Sequence, residues 1–394
     1  MAETKKVIDK REYKKKQNRR HRLRFFLIVL GIAAVACLVI FFRTENINIL
    51  SMFNKIKPEG TAEQVGYSIK GAYCAAAFNG EVIVADENGI TCIDSQNNWK
   101  WNEKIYMDAP VMAVNGSNMV AADIGGTQLC YFGKSGLLWI ENFPKGIISV
   151  CLGNNGYVSV VHNEDQYRSA ITYLKPDGDD HVVFTRKNSE SYIITSEISE
   201  DGSQIAFSSI NPETAETSTI VSFMKTDSGE VFSTVSYDGQ LTPALNYLKG
   251  SELIVAGAEA LDYLKKTSGS DVNNVLWTVG TVNKVFYCGK KFSDKYFIGA
   301  FGQEGNTATG ETELKFFSTS GEGKEGFHFD GKVLGLTVKD GIIAVFSENV
   351  LALYNSSGKQ LGKYDQADEI KNVSFISDRK LLLSEKQTLQ IVSF

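Results

Sequence analysis

The amino-acid sequence predicts an all-β domain of repeated four-stranded units, preceded by one transmembrane helix. Three observations lead to this prediction: an uncharged apolar run near the N-terminus, short apolar runs broken by Gly, Asn, Asp and Ser after residue 66, and recurrence of those runs at a mean spacing of about 42 residues. The chain has 35 glycines but only six prolines. Glycine suits tight turns and strand interiors exclude proline, so this composition agrees with strands joined by turns.

The apolar run covers residues 25–42 and reads FFLIVLGIAAVACLVIFF, with no charge and no proline. A helix of this length extends roughly 27 Å, close to the ~30 Å hydrocarbon core of a bilayer. Residues 1–24 hold eleven Lys or Arg, whereas only Arg43 follows the run directly. The positive-inside bias therefore predicts a basic cytoplasmic tail at 1–24, a transmembrane helix in contact with the lipid bilayer at Phe25–Phe42, and a single-pass cell-membrane protein whose remainder is extracytoplasmic.

Two other interpretations of the run are weaker. A cleavable signal peptide has a shorter apolar stretch of about 7–15 residues that ends in small residues, but here Phe41, Phe42 and Arg43 end it. A lipoprotein signal would use Cys37, but the usual leucine three residues earlier is missing. We therefore expect an uncleaved signal anchor.

Charge is divided unevenly between the two sides of the predicted membrane. The first 43 residues take twelve of the 41 basic and three of the 46 acidic residues, which leaves the remainder near −14. Such a domain is repelled by nucleic acid and by anionic polymers, so we expect no nucleic-acid partner. Residues 43–64 form either a short amphipathic juxtamembrane helix, with Ile49, Phe53 and Ile56 on one face, or a plain stalk.

The exported domain, residues 65–394, repeats one pattern. In six places an apolar strand ends and a glycine opens a turn before the next strand; a seventh copy has Asn97 instead, and Asn tolerates the left-handed conformation of such a turn. Two further apolar runs precede each copy, which makes a unit of four antiparallel strands. The units begin near Tyr73, Pro110, Gly146, Ser191, Leu241, Val282, Lys332 and Glu369.

This spacing predicts a β-propeller of eight blades, or of seven if the long units 191–240 and 282–331 are wrongly divided. The last unit has only three strands before the chain ends. The isolated run at 66–70, GYSIK, is predicted to join it as the outer strand, because that pairing closes the ring and removes an open sheet edge.

The turn-and-strand unit resembles the repeats of quinoprotein-like and WD40-like propellers, and SEDGSQIAFSS at 199–209 is similar to a strand pair of TolB-like blades. Together with the basic tail and the membrane helix, it resembles a family of uncharacterised membrane-anchored propeller proteins of clostridial-type bacteria. The unit lacks the Trp-Asp dipeptide of WD40 repeats and the regular outer-strand tryptophan of quinoproteins. The resemblance implies the fold and the topology, and no activity.

Sequence motifs that indicate catalysis, cofactor binding or metal binding are either absent or lack the structural surroundings that they require. GEGKEG at 321–326 matches a dinucleotide-binding pattern in letters, but it lies between two strands with no helix to meet a phosphate. Asp177, Asp179 and Asp180 offer too few oxygens for calcium. The exported part has only three histidines, His162, His181 and His328, and any catalytic triad would have to be assembled from residues of separate blades. We predict no catalytic residue, no cofactor, no metal site and a protein that is not an enzyme.

Five cysteines lie singly in apolar strands and are predicted to be buried free thiols rather than a disulfide framework: Cys74, Cys92, Cys130, Cys151 and Cys288. The aromatic residues mostly occupy strand positions, where they are expected to pack between blades rather than to form a sugar-stacking platform.

The predicted function is non-enzymatic: a binding or scaffold module for an exported or membrane protein of the cell envelope. The alternatives are a binder of neutral glycans or wall polymers, and, less favoured, an enzyme that uses the central channel. Binding on a rigid scaffold usually lies in loops, and the longest insertions are 211–217, 265–274 and 302–311. The last is the candidate partner-binding loop, with the residues Gly302, Gln303, Glu304, Asn306, Thr307, Thr309 and Glu311.

Overall fold

The computed structural model of the protein describes residues 61–177, 180–213, 218–241, 244–257, 260–266, 273–280, 284–303, 310–321 and 323–394. In these ranges every regular element is a β-strand, and they contain no helix long and apolar enough to cross a membrane. The predicted basic tail, transmembrane helix and most of the predicted stalk lie outside the described residues.

The strands form eight separate four-stranded antiparallel sheets, which are the blades of a propeller. Blades 1 to 4 follow the chain in order. Their strands are β2 (Cys74–Phe78), β3 (Glu81–Asp86), β4 (Gly89–Ile93) and β5 (Trp99–Glu103); β6 (Pro110–Asn115), β7 (Asn118–Asp123), β8 (Gln128–Gly133) and β9 (Gly136–Asn142); β10 (Ile147–Leu152), β11 (Val158–Glu164), β12 (Tyr167–Leu174) and β13 (Val182–Asn188); β14 (Tyr192–Ile198), β15 (Gln204–Ile210), β16 (Thr219–Lys225) and β17 (Val231–Tyr237).

Blades 5 to 7 have the same order, and blade 8 takes its outer strand, β1 (Thr61–Gln64), from the start of the domain. The remaining strands are β18 (Ala244–Lys249), β19 (Glu252–Ala256), β20 (Ala260–Lys266) and β21 (Asn273–Gly280); β22 (Lys284–Ser293), β23 (Tyr296–Gln303), β24 (Thr312–Ser318) and β25 (Gly323–Phe329); β26 (Gly335–Lys339), β27 (Ile342–Phe346), β28 (Val350–Tyr354) and β29 (Gln360–Asp365); β30 (Ile370–Ser377), β31 (Lys380–Glu385) and β32 (Leu389–Ser393).

The first strands of the blades form a closed inner ring. Each of β2, β6, β10, β14, β18, β22, β26 and β30 contacts the first strand of the next blade, and β30 contacts β2. The ring therefore has eight blades, as the sequence predicts, and each unit begins within three residues of the predicted position.

The last blade is completed by the N-terminal strand, but not by the predicted residues. β1 pairs antiparallel with β32, with Thr61 opposite Ser393 and Gln64 opposite Gln390. The predicted closure is confirmed, whereas its assignment to residues 66–70 was wrong, because these residues form no strand. The propeller thus begins at Thr61 rather than at residue 65.

The segment 66–70 carries apolar residues for another reason: it packs between blades 8 and 1. We call this contact the Tyr67 clasp. Tyr67 is buried with Leu382 and Leu389 of blade 8, and its hydroxyl donates a hydrogen bond to Asp86 Oδ1 at 3.1 Å. The Lys70 amide donates to the other oxygen of Asp86 at 3.0 Å. Alternation along this segment therefore reflects burial between two blades and not strand pairing.

The hydrophobic core lies between neighbouring blades rather than at one centre. Ile83 and Cys92 of blade 1, for example, pack with Met119 and Phe132 of blade 2, and all four are fully buried. The second and third strands of a blade are buried on both faces, as in β4, whose five residues are all buried. Such strands read as continuous apolar runs instead of alternating ones.

A recurring contact joins each of several blades to the blade before it. The turn between the third and fourth strands packs on the outer strand of the preceding blade. Trp139 Nε1 on β9 donates to the Pro176 carbonyl of blade 3 at 3.0 Å, and Arg186 Nη1 on β13 donates to the Gly229 carbonyl of blade 4 at 3.2 Å. These are the glycine turns of the sequence repeat, so the repeated pattern encodes an interface between blades as well as a turn.

The left-handed conformation predicted for this turn is also confirmed. Gly358 has φ +76° and Gly229 has φ +68°, and Asn97, the substitute for glycine in blade 1, has φ +63°. At Gly358 a β-carbon would lie only 2.7 Å from the Phe327 ring of blade 6. Both the backbone conformation and the lack of a side chain are therefore needed there.

Removal of the closing strand should open the ring. A version of the chain that begins at Gly60 keeps β1, whereas one that begins at Tyr73 loses β1 and the Tyr67 clasp and leaves β32 as an exposed edge. We expect the first to be soluble and to melt cooperatively, and the second to aggregate or to melt at a much lower temperature. Equal melting temperatures would show that closure does not stabilise the domain.

Substitutions at two glycines separate backbone strain from packing between blades. Gly341 also has a left-handed φ, +78°, but nothing lies within 4 Å of its missing β-carbon. Gly341→Ala should cost only about 1 kcal/mol of conformational strain, whereas Gly358→Ala should cost roughly 1–3 kcal/mol more because of its contact with Phe327. Chemical denaturation measures both, and equal losses would contradict the proposed interface.

Candidate functional site

A polar groove of about 530 Å³ lies at one end of the ring, between blades 3 and 4. Because blade strands are antiparallel, the connection between the second and third strands lies at the same end as the link to the next blade. We call this end the upper mouth and the opposite end the lower mouth. The upper-mouth groove is lined by residues of three such connections and the adjacent strand ends, chiefly Lys145, Glu164, Asp165, Tyr167, Arg168 and Tyr192.

Two exposed tyrosines mark the groove. Tyr167 begins β12 and Tyr192 begins β14, so both side chains project from paired strands rather than from free loops. Their exposed fractions are 42% and 46%. Exposed aromatic side chains on a rigid framework are typical of binding surfaces, because they offer a large contact area at low entropic cost.

A cation covers one face of each tyrosine ring. The Arg168 guanidinium lies 5.3 Å from the centre of the Tyr192 ring, and the Lys187 ammonium lies 5.3 Å from the centre of the Tyr167 ring. These cation–π contacts fix the orientation of both rings. The Arg168 Nε atom also donates a hydrogen bond to the Ser189 carbonyl at 3.1 Å, which holds the guanidinium in place.

Three ion pairs balance the charges around the groove. Lys145 lies 3.2 Å from Asp165, Lys187 lies 3.1 Å from Glu164, and Arg168 Nη2 lies 2.5 Å from Glu213, which is carried by the connection between β15 and β16 of blade 4. The groove is therefore polar but close to neutral as it stands.

The three histidines, each a candidate base for a catalytic triad, lie in separate environments. His162 is buried below the groove, where Nε2 bonds to the Thr172 hydroxyl at 2.9 Å; burial lowers the pKa of His162, against the opposing effect of Glu164. His181 bonds to Glu141 at 2.5 Å and stacks on Trp139. The third, His328, is exposed in blade 6. The three histidines therefore do not share one site.

A second polar cluster lies on the innermost strands near the lower mouth. Cys151 Sγ on β10 donates to Glu197 Oε2 on β14 at 3.5 Å. Burial raises the pKa of Glu197 to about 7, although the charge of Lys290 on β22 and the Cys151 contact oppose this shift. Next to them, Lys291 of blade 6 forms an ion pair with Glu200 of blade 4. No sequence motif pointed to this cluster, because its members come from three blades.

The prediction of free thiols is confirmed for the five cysteines, but only Cys92 and Cys130 are fully buried, and the other three are half-buried. All five in the described residues are free thiols, and burial raises the pKa of each. A thiol with a raised pKa is a poor nucleophile. Within the same ranges, no three His, Cys, Asp or Glu side chains are grouped so as to hold a metal ion.

The described ends of the predicted partner-binding loop lie at the upper mouth in blade 6, away from the groove: Gly302 and Gln303 end β23, and Glu311 directly precedes β24. Gly302 packs against the Tyr287 side chain, and Glu311 lies 3.9 Å from His328. Residues 304–309, which include Glu304, Asn306, Thr307 and Thr309, lie outside the described residues. Of the other two insertions, the described residues 211–213 also lie at the upper mouth, whereas residues 265–266 and 273–274 lie in β20 and β21 at the lower mouth.

The closed ring of four-stranded blades defines the protein as an eight-bladed β-propeller. Residues 50–394 match the model of a family of unknown function, DUF5711, and the chain belongs to that family. No curated protein matches the sequence.

Solved propellers show the same fold at low sequence identity. The Dos1 propeller matches with a TM-score of 0.55 and 10% identity, over 86% of this chain and 94% of that one. The β-propeller domain of Cps50 (Swd1) from Myceliophteria thermophila matches with a TM-score of 0.50 and 9% identity, over 85% and 100%. BamB from Moraxella catarrhalis matches with a TM-score of 0.42 and 13% identity, over 72% of this chain and 96% of that one. At these identities the likeness concerns the fold alone.

The raised pKa of Glu197 predicts a pH dependence of stability. Its carboxyl group is harder to ionise in the folded than in the unfolded chain, so its contribution makes stability fall as the pH rises from about 4.5 to about 7, and it changes no further above that range. Glu197→Gln should remove this cost and stabilise the protein at pH 8 by up to roughly 3 kcal/mol, but not at pH 4. Urea denaturation at both pH values measures the difference. An equal effect at both would mean that packing, and not ionisation, is responsible.

Proposed function

We propose that this protein is a non-enzymatic binding module, anchored in the membrane by Phe25–Phe42, whose propeller recognises an exported or membrane protein of the cell envelope. The observation that carries the proposal is the upper-mouth groove, with Tyr167 and Tyr192 half exposed on fixed strands and charged groups between them. An aromatic pair within a polar rim suits an extended peptide segment, since the rings bury apolar atoms and the rim bonds to the backbone.

A glycan is the less favoured ligand for this groove. Sugar rings stack on open aromatic faces, and one face of each tyrosine is already covered by Arg168 or Lys187. The paired charges around the rings also suit a peptide better than a neutral sugar, which offers hydroxyl groups but no charge.

An enzyme that uses the channel is less favoured still. Near the channel, the Cys151 thiol, whose pKa is raised by burial, lies beside the carboxyl group of Glu197, and Lys291 forms an ion pair with Glu200. A nucleophile needs an activating base or a lowered pKa, and the shift of Cys151 is in the opposite direction.

Loss of the two groove tyrosines should abolish capture of the partner. A photo-crosslinking amino acid in place of Ser189, at the exposed edge of the groove, is irradiated in intact cells with the full-length protein. We expect a defined protein adduct that falls at least about tenfold in Tyr167→Ala/Tyr192→Ala, because buried aromatic anchors dominate such interfaces. Tyr106→Ala is the matched control: Tyr106 is 61% exposed and lies in the link between blades 1 and 2, at the same mouth but outside the groove.

The same experiment separates the groove from the predicted loop. If the adduct is unchanged in the double variant but lost when residues 304–311, which follow the end of β23, are shortened to a two-residue turn, recognition lies in blade 6. If neither change affects it, the upper mouth is not the binding surface. Both variants should keep the melting temperature of the parent, since neither removes a core side chain.

The proposed topology has its own test. Eleven basic residues before Phe25 and one after Phe42 should keep the N-terminus in the cytoplasm and the helix uncleaved. Protease added to intact protoplasts should therefore digest the propeller and spare a tag at residue 1. Protection of the propeller with digestion of the tag would reverse the assignment.

A further inference from the structure

The Arg168 guanidinium in the groove is held rigidly by groups other than its carboxylate partner. The Ser189 carbonyl accepts a hydrogen bond from Nε, and the Tyr192 ring lies under the guanidinium at 5.3 Å. Only 27% of the Arg168 side chain is exposed. A fixed, partly desolvated guanidinium is a ready receptor for a carboxylate, which it can bind with two parallel hydrogen bonds.

The carboxylate that occupies this receptor in the structure comes from the neighbouring blade. Glu213 follows the end of β15, in a turn where its amide donates to Asn211 Oδ1 at 2.9 Å. The Glu213 side chain is 74% exposed, in contrast to Arg168. An exposed ion pair contributes little to stability, so Glu213 can leave Arg168 without disturbing either blade.

In the other two ion pairs at the groove, the cation is not a fixed, mostly buried partner of an exposed carboxylate. Lys145 and Asp165 are both exposed, at 51% and 70%. In the pair between Lys187 and Glu164 the fixed partner is the acid, which is only 12% exposed. Departure of Glu213 also removes one negative charge from a balanced groove and leaves it positive. Arg168 is thus the point at which an incoming carboxylate is favoured.

We infer that Arg168 is the specificity-determining residue of the groove, that it binds an acidic side chain or C-terminal carboxylate of the partner peptide, and that Glu213 is an internal ligand that the partner displaces. This inference rests on the proposed function of the groove. Because Glu213 is tethered next to Arg168, it competes at a high effective concentration. The groove without a partner is therefore selective, since only a ligand that also packs on Tyr167 and Tyr192 displaces the Glu213 carboxylate.

The test uses full-length protein in nanodiscs and a probe copied from the chain itself. The probe is the capped peptide INPETA, residues 210–215, with one carboxylate; its control has Gln in place of Glu. Ligand-observed NMR measures millimolar binding of both peptides to the parent, to Glu213→Gln and to Glu213→Gln/Arg168→Lys. Glu369→Gln is the matched control, since Glu369 forms an ion pair with Lys371 and lies in the link between blades 7 and 8, at the same mouth but outside the groove.

We expect Glu213→Gln to bind the Glu peptide at least about tenfold more tightly than the parent does, because the tethered competitor has lost its charge. The Gln peptide should show no gain, Arg168→Lys should cancel the gain, and Glu369→Gln should behave as the parent. The inference is overturned if Glu213→Gln gives no gain, if both peptides gain equally, or if no variant binds. The proposed function is tested separately, by the crosslinking experiment. If Tyr167→Ala/Tyr192→Ala still loses the adduct, the groove binds the partner even though the role inferred for Arg168 is wrong. If the adduct is unchanged in that variant, the proposed function of the groove is wrong as well.

Discussion

The pairing of β1 with β32 holds the ring closed, and the rest of the structure depends on it. Each blade buries its two faces against two neighbours, so an open seam would expose two apolar faces and one sheet edge at once. The closing strand has only four residues, and the Tyr67 clasp to Asp86 reinforces it on the side of blade 1. Closure converts eight small sheets, none of which is stable alone, into one rigid body.

A rigid ring explains how a groove at the upper mouth can be fixed without a helix or a disulfide in the described part of the chain. Tyr167 and Tyr192 belong to different blades, and their separation is set by the packing of blade 3 on blade 4. Ser169 of blade 3 accepts a hydrogen bond from the Ile193 amide of blade 4 at 3.0 Å. Contacts of this kind preorganise the aromatic pair and the Arg168 receptor, so that binding costs little ordering entropy.

The sequence predicted the repeat well because the repeat is local. Each blade is a run of neighbouring strands with a turn that needs a left-handed residue, and the pattern is visible even where Asn97 replaces glycine. The closing strand was misplaced because Tyr67 and Ile69 alternate like a strand but owe their alternation to burial between two blades. Thr61–Gln64, TAEQ, has no apolar pattern, because it is paired through its backbone.

The groove could not be predicted because its residues come from three separate segments around Lys145, Tyr167 and Tyr192. The stretch HNEDQYR at 162–168 looks like an ordinary polar loop, and only the fold brings Tyr192 and Glu213 to Arg168. The Glu197 cluster was missed for the same reason. A propeller places its connections at two mouths, so proximity there depends on the blade count and not on spacing along the chain.

Amide hydrogen exchange in the full-length protein tests the closed ring most directly. In β32, the amides that point away from β31 can be protected only by β1. The structure predicts that they exchange about as slowly as those of β31, and that the Val65 amide, which donates to the Leu389 carbonyl at 2.8 Å, is protected with them. Rapid exchange of these amides, like that of an exposed sheet edge, would contradict the closure on which the groove and its proposed role depend.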